Sequence, residues 1–300
     1  MGRPTSVRVR VPASSANLGP GFDSLGLALG LYDEVEASVA DDGVVVEVGG
    51  EGAGRVPCDD THLVVQAMRT AWNVTGDAPP GLRLRCRNAV PHSRGLGSSA
   101  AAAVAGAVAA VVLAGRDAEA ERDTILQVTA GMEGHADNAA ASLLGGFVVA
   151  WETAGNTESR FHAVRLDAHP GIAPVALVAG AESLTSTTRG LLPDRVPLVD
   201  AAFTGSRTAL AVLAFTQRPE LLMPATEDRL HQAYRRPAYP DSADLVDALR
   251  TRGVPAAISG AGPTVLALTT GGALPDDLDL RGFTALPLPV DALGAVVEIG

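Results

Sequence analysis

Lysine is absent from this chain of 300 residues, so all 23 of its basic residues are arginine. Without lysine, no residue can form a Schiff base with pyridoxal phosphate. The phosphate-binding lysine of Walker loops and the ATP-binding lysine of protein kinases are excluded as well. A small anionic ligand can still bind where arginines or helix N-termini are placed locally.

Cysteine is also scarce: Cys58 and Cys86 are the two examples, and their spacing does not suggest a metal site. Such usage is typical of reduced thiols in a cytoplasmic protein. The first six residues contain no apolar run of the kind that a secretory signal needs. The apolar stretch at 100–114 has about 15 residues, fewer than the ~20 that span a bilayer. We therefore predict a cytoplasmic protein in which this stretch is a buried core helix.

The chain is poor in positive charge, with a formal net charge of −11 at pH 7. Nucleic acids and anionic membranes attract basic surfaces, so neither is predicted as a partner. Hydrophobic residues make up 47% of the sequence, enough for a sizeable core. The length suggests about two domains of 100–200 residues each.

Hydrophobic periodicity predicts strands and helices in an intermixed order that is typical of an α+β fold. The predicted strands are 7–11, 25–31, 35–39, 44–48, 82–87, 147–151, 161–166, 173–179, 255–259, 263–268, 284–288 and 294–299. The predicted helices are 61–73 with Thr61 as its cap, 98–115, 118–131, 138–144, 198–216, 226–233 and 241–252. Residues 12–21 are predicted to form a loop, and the polar segment 154–158 a linker between two halves.

The segment with the clearest chemical meaning is 91–100, PHSRGLGSSA, which runs directly into the alanine-rich helix. Its glycines allow the backbone to approach a ligand closely, and its serines are favoured N-caps. The unpaired N–H groups and the dipole of a helix N-terminus attract anions, above all phosphate. On its own the segment predicts an anion site, or a capped loop without a ligand.

Two further glycine-rich segments flank this loop: 11–29, VPASSANLGPGFDSLGLAL, and 257–268, AISGAGPTVLAL. Three such motifs in this order resemble the GHMP kinases, a superfamily of small-molecule kinases. The likeness is greatest to its homoserine kinase branch, which the segments 133–138, 188–193 and 228–235 also resemble.

The resemblance implies a GHMP kinase fold with two domains and, commonly, a homodimer. The N-terminal domain, residues 1–155, would bind ATP and resemble ribosomal protein S5 domain 2. The C-terminal domain, residues 156–300, would be ferredoxin-like and contribute to substrate binding and dimer formation.

The resemblance also implies ATP and Mg²⁺ as cofactors and L-homoserine as the small-molecule substrate. The implied ATP-binding residues are Pro91, Arg94, Gly95, Leu96, Gly97, Ser98, Ser99 and Ala100. Arg94 could add charge to this site or be a solvated loop residue. Glu133 is the implied Mg²⁺ ligand with Ser98 as co-ligand, and adenine would lie near His62 and Leu63.

An amino-acid substrate needs carboxylates or carbonyls for its ammonium group and arginines for its carboxylate. The resemblance assigns substrate binding to Asn17, Asp23, His135, Asp137, Arg189 and Arg235. Instead of binding substrate, His135 could be a structural histidine bonded to a carbonyl.

Asn138, Asp137 and Ser98 are the implied catalytic residues, with Asn138 near the reacting hydroxyl. Because no lysine is present, we predict phosphoryl transfer without a dedicated protein base. Two other functions are also consistent with the sequence: another GHMP kinase, such as one of the isoprenoid pathway, and a non-catalytic ligand sensor on the same fold.

The sequence departs from the family motif at one place near the site. The family sequence D-N-V-A-P-A is replaced here by DNAAAS at 137–142, which bears on the pose of Asn138.

Overall fold

The computed structural model describes residues 3–154, 160–180 and 188–300, which contain two β-sheets and their covering helices. The first sheet has seven strands, ordered β11-β1-β2-β4-β3, with β5 beside β2 and β6 beside β5. Its strands are β1 Ser6–Asn17, β2 Gly21–Ala40, β3 Val44–Gly50, β4 Gly81–Asn88, β5 Phe147–Thr153, β6 Arg160–Leu166 and β11 Val296–Ile299. All pairs are antiparallel except β3 with β4. In β1 the alternation places Val7, Val9 and Val11 in the core and two arginines on the opposite face.

Four helices cover the inner face of this sheet: α1 Leu63–Thr75, α2 Ser98–Leu113, α3 Arg122–Glu133 and α4 Asp137–Leu144. Helix α2 is the central one and is buried along nearly its whole length, as the sequence predicted. Its small side chains let neighbouring helices approach closely, and a Cβ at Gly106 would overlap the carbonyl oxygen of Val64 in α1. This packing fixes the start of α2 relative to the sheet.

The second sheet has four antiparallel strands in the order β10-β7-β9-β8. They are β7 Ala173–Val178, β8 Ala256–Ile258, β9 Val265–Thr269 and β10 Thr284–Pro287. The associated helices are α5 Leu198–Thr216, α6 Leu222–Ala225, α7 Gln232–Arg235 and α8 Pro240–Thr251. Leu245 and Leu249 of α8 pack on one face of the sheet, with Val175 and Leu177. The α+β class is therefore confirmed.

A shared hydrophobic core joins the two sheets. Phe147 of β5 stacks on Phe215 of α5, with ring centroids 5.0 Å apart. Leu25 and Leu27 of β2 belong to the same cluster, as does Leu266 of β9. The two sheets are thus held in one arrangement by apolar burial, which fixes the cleft between them.

Within the described residues, α5 is the one helix long and apolar enough to cross a membrane by length and composition. Its Ala211, Ala214 and Phe215 are fully buried in the core between the sheets. The other side chains of α5 are mostly not buried, since 22% of its apolar window lies inside the structure, and the absence of a membrane partner stays a prediction.

Several predicted elements differ from the structure. The predicted strands 25–31 and 35–39 are parts of the single strand β2, and the predicted helix 118–131 is α3, which begins at Arg122 and ends at Glu133. Strand β1 continues to Asn17 through a bulge at Pro12, so most of the predicted 12–21 loop is paired with β2. The cap of α1 is His62, whose Nδ1 accepts from the Val64 N–H group, and Thr61 instead bonds Asp59. The predicted helix at 226–233 is wrong, because α6 ends before it and α7 begins at Gln232.

The sheets do not divide the chain at residue 155. Strands β6 and β11 lie beyond that residue, yet both belong to the first sheet. The predicted boundary itself falls among residues 155–159, outside the described part of the chain. The limits 1–155 and 156–300 therefore stay a prediction.

Candidate active site

A cavity of about 170 Å³ opens where the end of β1, the glycine-rich loop and the start of α4 meet the turn after β8. The residues that line it are Ala16, Asn17, Asp23, Ser93, Gly95, Gly97, Ser98, Ser99, Glu133, His135, Asp137, Asn138, Arg189, Arg235, Gly260 and Ala261. The residues predicted to bind substrate and metal and to act in catalysis are all brought together here. Their individual roles stay predictions.

The glycine-rich loop delivers the start of α2 to this cavity. The N-cap of α2 is Gly97, in the left-handed conformation with φ of 69° and without a side-chain cap. The expectation of a serine cap is therefore wrong: Ser98 and Ser99 occupy the first helical positions. Backbone N–H groups there have no partner within the helix, and the helix dipole adds positive potential. The start of α2 is suited to a phosphate group.

Segments that are distant in sequence brace this loop from below. The Ser259 hydroxyl donates to the Gly95 carbonyl oxygen (2.6 Å) and lies 2.8 Å from the Ser15 hydroxyl. The Ser14 N–H group donates to the Leu96 carbonyl oxygen at 3.0 Å. A Cβ at Gly95 would overlap the carbonyl oxygen of Ser259, so glycine is required for this approach. The three glycine-rich motifs thus form one bonded unit.

Glu133, the last residue of α3, faces the start of α2. Its Oε2 accepts a hydrogen bond of 3.1 Å from the Ser99 hydroxyl, whereas Ser98 was the predicted co-ligand. Burial raises the pKa of the Glu133 carboxyl, and a divalent cation beside it would stabilise its charged form. The carboxylate and the two serine hydroxyls are hard oxygen donors of the kind that Mg²⁺ prefers. No group of three or more His, Cys, Asp and Glu side chains forms a metal site in residues 3–154, 160–180 and 188–300.

A histidine–aspartate pair lies on the next wall of the cavity. Nδ1 of His135 is 2.8 Å from Oδ1 of Asp137, which also accepts from the Asn138 N–H group. Burial lowers the pKa of His135, but the bond to Asp137 and the charges of Asp137, Asp23 and Glu133 outweigh it, so its pKa is raised. The His135 ring therefore bonds a carboxylate rather than a carbonyl.

Asp23 and Arg189 form a two-pronged ion pair, with nitrogen–oxygen distances of 2.8 and 3.0 Å. Asn17 holds this region in place: its Oδ1 accepts from the Asp23 N–H group and its Nδ2 donates to the Gly260 carbonyl oxygen. Asn17 and Asp23 both have positive φ, of 68° and 54°. The pair supplies one anionic and one cationic group to the same side of the cavity.

Arg235 is 1% exposed and reaches the cavity from α7. Its Nη1 donates to Nδ1 of His231 (3.2 Å), while His231 Nε2 donates to the Gly19 carbonyl oxygen (2.7 Å). Both ring nitrogens of His231 are thus used by a neutral imidazole, and burial lowers its pKa. The Arg235 Nε lacks a hydrogen-bond partner, one of three such buried side-chain atoms in the described part of the chain. A buried guanidinium with a spare donor suits an anionic ligand.

Four predicted ATP-binding residues do not line this cavity: Pro91, Arg94, Leu96 and Ala100. Leu96 and Ala100 are fully buried. The Arg94 guanidinium donates to the carbonyl oxygens of His92, Ala179 and Gly180, so it ties the loop to the segment after β7. This geometry favours a structural role for Arg94 over the addition of charge to the site.

A second cavity of about 290 Å³ adjoins the first and shares Ser93, Ser98 and Ser99 with it. The rest of its lining is mostly apolar and comprises Asp33, Val35, Val56, Pro57, Thr61, His62, Leu63, Val64, Asn88, His92 and Ala102. His62 and Leu63, which were predicted to lie near adenine, are therefore beside the start of α2.

Sequence reasoning did not assign roles to Ser14, Ser259 and His231, which support the glycine-rich loop and Arg235. All three lie inside the motifs that carry the family resemblance. Each of the three is 0% exposed, which their polar character does not reveal in the sequence.

Comparisons with known proteins agree with this arrangement. The chain matches the GHMP kinases N terminal domain over residues 62–146 and the GHMP kinases C terminal domain over residues 209–278. A homoserine kinase of Streptomyces avermitilis is 51% identical over 298 residues, which cover 98% of this chain and 96% of that protein. One of Rhodococcus erythropolis is 54% identical over 272 residues, covering 88% and 86%.

The crystal structure of homoserine kinase from Cytophaga hutchinsonii superposes with a TM-score of 0.84 at 26% identity, over 99% of each chain. This match confirms the predicted GHMP kinase fold. With relatives this similar over nearly its whole length, the chain belongs to the homoserine kinase family of the GHMP kinases.

Proposed function

We propose that this chain transfers the γ-phosphoryl group of ATP to the side-chain hydroxyl of L-homoserine, giving O-phospho-L-homoserine for threonine biosynthesis. One observation carries the proposal. The helix start suited to phosphate opens into the same cavity as the charged groups that an amino acid requires. The relatives favour this over an isoprenoid kinase or a sensor, since homoserine kinases match nearly the whole chain.

ATP would occupy both cavities. The apolar 290 Å³ cavity suits the nucleobase, and the shared serines lead from it to the start of α2, where the phosphates would lie. Mg²⁺ would be held by Glu133 together with Ser98 or Ser99. When bound, it neutralises charge on the phosphoryl oxygens.

Homoserine would be held by charge on both of its ends. Arg189 and the buried Arg235 suit its carboxylate, while Asp23 and the amide oxygen of Asn17 suit its ammonium group. When the Asp23–Arg189 pair separates, Asp23 would pair with the ammonium group and Arg189 with the carboxylate, so neither side chain is left without a partner. His135 and Asp137 close the wall nearest the reacting hydroxyl.

Transfer proceeds in line: the hydroxyl oxygen bonds to the γ-phosphorus as the bond to ADP breaks, and the hydroxyl proton passes to a phosphate oxygen or to water. Positioning and charge stabilisation supply most of the acceleration in such reactions. Oδ1 of Asp137 is already bonded to His135 and to the Asn138 N–H group, which favours a holding role over that of a base.

The function is tested by ADP release in a coupled assay, with L-homoserine, L-threonine, L-serine and mevalonate compared side by side. We expect homoserine to give the highest kcat/KM. Turnover with mevalonate alone would refute the proposal.

The absence of a protein base is tested with Asp137→Asn. We expect both kcat and homoserine affinity to fall, because the variant loses charge at the substrate. Complete loss of transfer with unchanged homoserine affinity would identify Asp137 as the base.

We also propose a cytoplasmic homodimer. The exposed side chains of Leu198 and Val199, at 85% and 67%, are an apolar surface at the start of α5 that a second copy could cover. Light scattering on the purified protein tests this, and a monomeric mass at micromolar concentration would reject it.

A further inference from the structure

A chain of three buried or half-buried polar side chains runs beneath the glycine-rich loop and ends at Asn138. The Ser14 hydroxyl donates to Oδ1 of Asn138 at 2.9 Å. The Ser142 hydroxyl, one helical turn further along α4, donates to the Ser14 hydroxyl at 3.2 Å. Ser14 and Ser142 are both 0% exposed, so water does not compete for these bonds.

These two hydrogen bonds determine which end of the Asn138 carboxamide faces the cavity. A carboxamide has an accepting oxygen and a donating NH₂ group on opposite branches. The hydroxyl of Ser14 accepts from Ser142, so its single proton is directed at Oδ1 of Asn138. With Oδ1 held in this way, Nδ2 is the group left free to face the cavity that Asn138 lines.

The glycine-rich loop is shaped to leave room for this contact. A Cβ at Gly97 would overlap the Ser14 hydroxyl oxygen and lie 3.0 Å from Oδ1 of Asn138. Gly97 is also the N-cap of α2, with φ of 69°. The residue that begins the phosphate-binding helix is therefore packed directly against the Ser14–Asn138 bond.

We propose that Ser14, supported by Ser142, is a positioning residue that fixes the Asn138 carboxamide with Nδ2 towards the reacting groups. In this pose Asn138 donates to the substrate hydroxyl oxygen or to the transferring phosphoryl group, and it does not accept the hydroxyl proton. The proposal rests on the proposed function, since it assigns a role within that reaction. It also explains why DNAAAS at 137–142 can keep the pose of Asn138: the Ser at 142 supplies the supporting hydroxyl.

A double-mutant cycle tests the proposal. Ser14→Ala should lower kcat about tenfold and change both KM values less than about twofold, because a misaligned group affects the transition state most. Asn138→Ala should lower kcat further. If Ser14 acts through Asn138, adding Ser14→Ala to Asn138→Ala should have no additional effect on kcat.

Ser142→Ala provides a second cycle that leaves β1 unchanged and is used if Ser14→Ala does not fold. Its kcat should fall by a smaller factor than that of Ser14→Ala, and again not at all in the Asn138→Ala background. Thr75→Ala is the matched control: it removes a buried hydroxyl bonded to the Ala71 carbonyl oxygen in α1 and should leave kcat unchanged.

The outcomes separate the two proposals. Absence of homoserine turnover by the wild-type protein overturns the proposed function, and with it the positioning role. Normal wild-type turnover with additive losses in the double variants overturns the positioning role alone, because a purely structural serine would harm both backgrounds equally.

Discussion

His231 is a buried residue that bonds Arg235, the side chain proposed to bind the carboxylate of homoserine. Its neutral ring links the Gly19 carbonyl oxygen to the Arg235 guanidinium. We expect His231→Ala to raise the homoserine KM about tenfold and the ATP KM far less, because Arg235 loses the acceptor that orients it. Steady-state kinetics with each substrate varied in turn measure this. His162→Ala, at a histidine stacked on Trp151 near the surface, is the control, and equal changes in both KM values for His231→Ala would contradict the prediction.

At the scale of elements, the start of α2 depends on a glycine for two separate reasons. Gly97 needs positive φ, and its missing Cβ makes room for Ser14. Left-handed backbone strain alone costs an alanine about 1–2 kcal/mol. Gly97→Ala should therefore lower the free energy of unfolding by more than this amount, and it should also lower kcat. Gly253→Ala is the matched control: Gly253 has φ of +79° in the turn after α8, and a Cβ there meets nothing within 4 Å. Urea unfolding and turnover compare the two, and equal losses of stability would show that crowding against Ser14 is unimportant.

Strand β2 is fastened to the end of β4 by a buried carboxyl group. Oδ1 of Asp33 accepts from the N–H groups of Ala89 and Val90, yet burial raises its pKa from 3.8 to about 6. Because the folded pKa is raised, the contribution of Asp33 to stability is fully present below pH 3.8 and is lost as the pH rises through about 6. Between pH 5 and 7 the wild type should lose about 1 kcal/mol of unfolding free energy that Asp33→Asn does not lose. Urea midpoints at both pH values measure the difference, and parallel pH profiles of the two proteins would refute it.

Elements with a clear local pattern could be predicted from the sequence, and those decided by distant contacts could not. The apolar run of α2 and the alternation of Val7, Val9 and Val11 are local signals, and both elements lie where expected. The extension of β1 to Asn17 depends on its pairing with β2, which the polar composition of 12–21 conceals. The failed helix at 226–233 has a local cause instead, because the carboxylate of Asp228 bonds the N–H groups at 230–232 and turns the chain.

For the whole molecule, the cavity is a place where segments from Asn17 to Ala261 meet. Motif resemblance could name its residues, since each motif is recognisable alone. It could not reveal that Ser259 bonds Gly95 or that His231 bonds Gly19, because these contacts exist only after the sheets have packed. The site and the folded arrangement of the two sheets are therefore coupled, and a ligand that bridges them should stabilise both.

This coupling predicts a ligand-dependent rise in thermal stability. At a homoserine concentration of 100 times its Kd, the gain is about 2.7 kcal/mol, which corresponds to a Tm increase of about 5 °C. Arg235→Ala should abolish the increase with homoserine but keep the increase with ATP and Mg²⁺, because Arg235 reaches the cavity from α7 and not from the glycine-rich loop. Arg236→Ala is the matched control: the adjacent Arg236 is exposed and pairs with Asp244 and Asp247 at the surface, so both increases should persist. If Arg235→Ala instead abolished the Tm increase with homoserine and the Tm increase with ATP and Mg²⁺, Arg235 would support the fold of the whole cavity. It would then not serve homoserine binding alone.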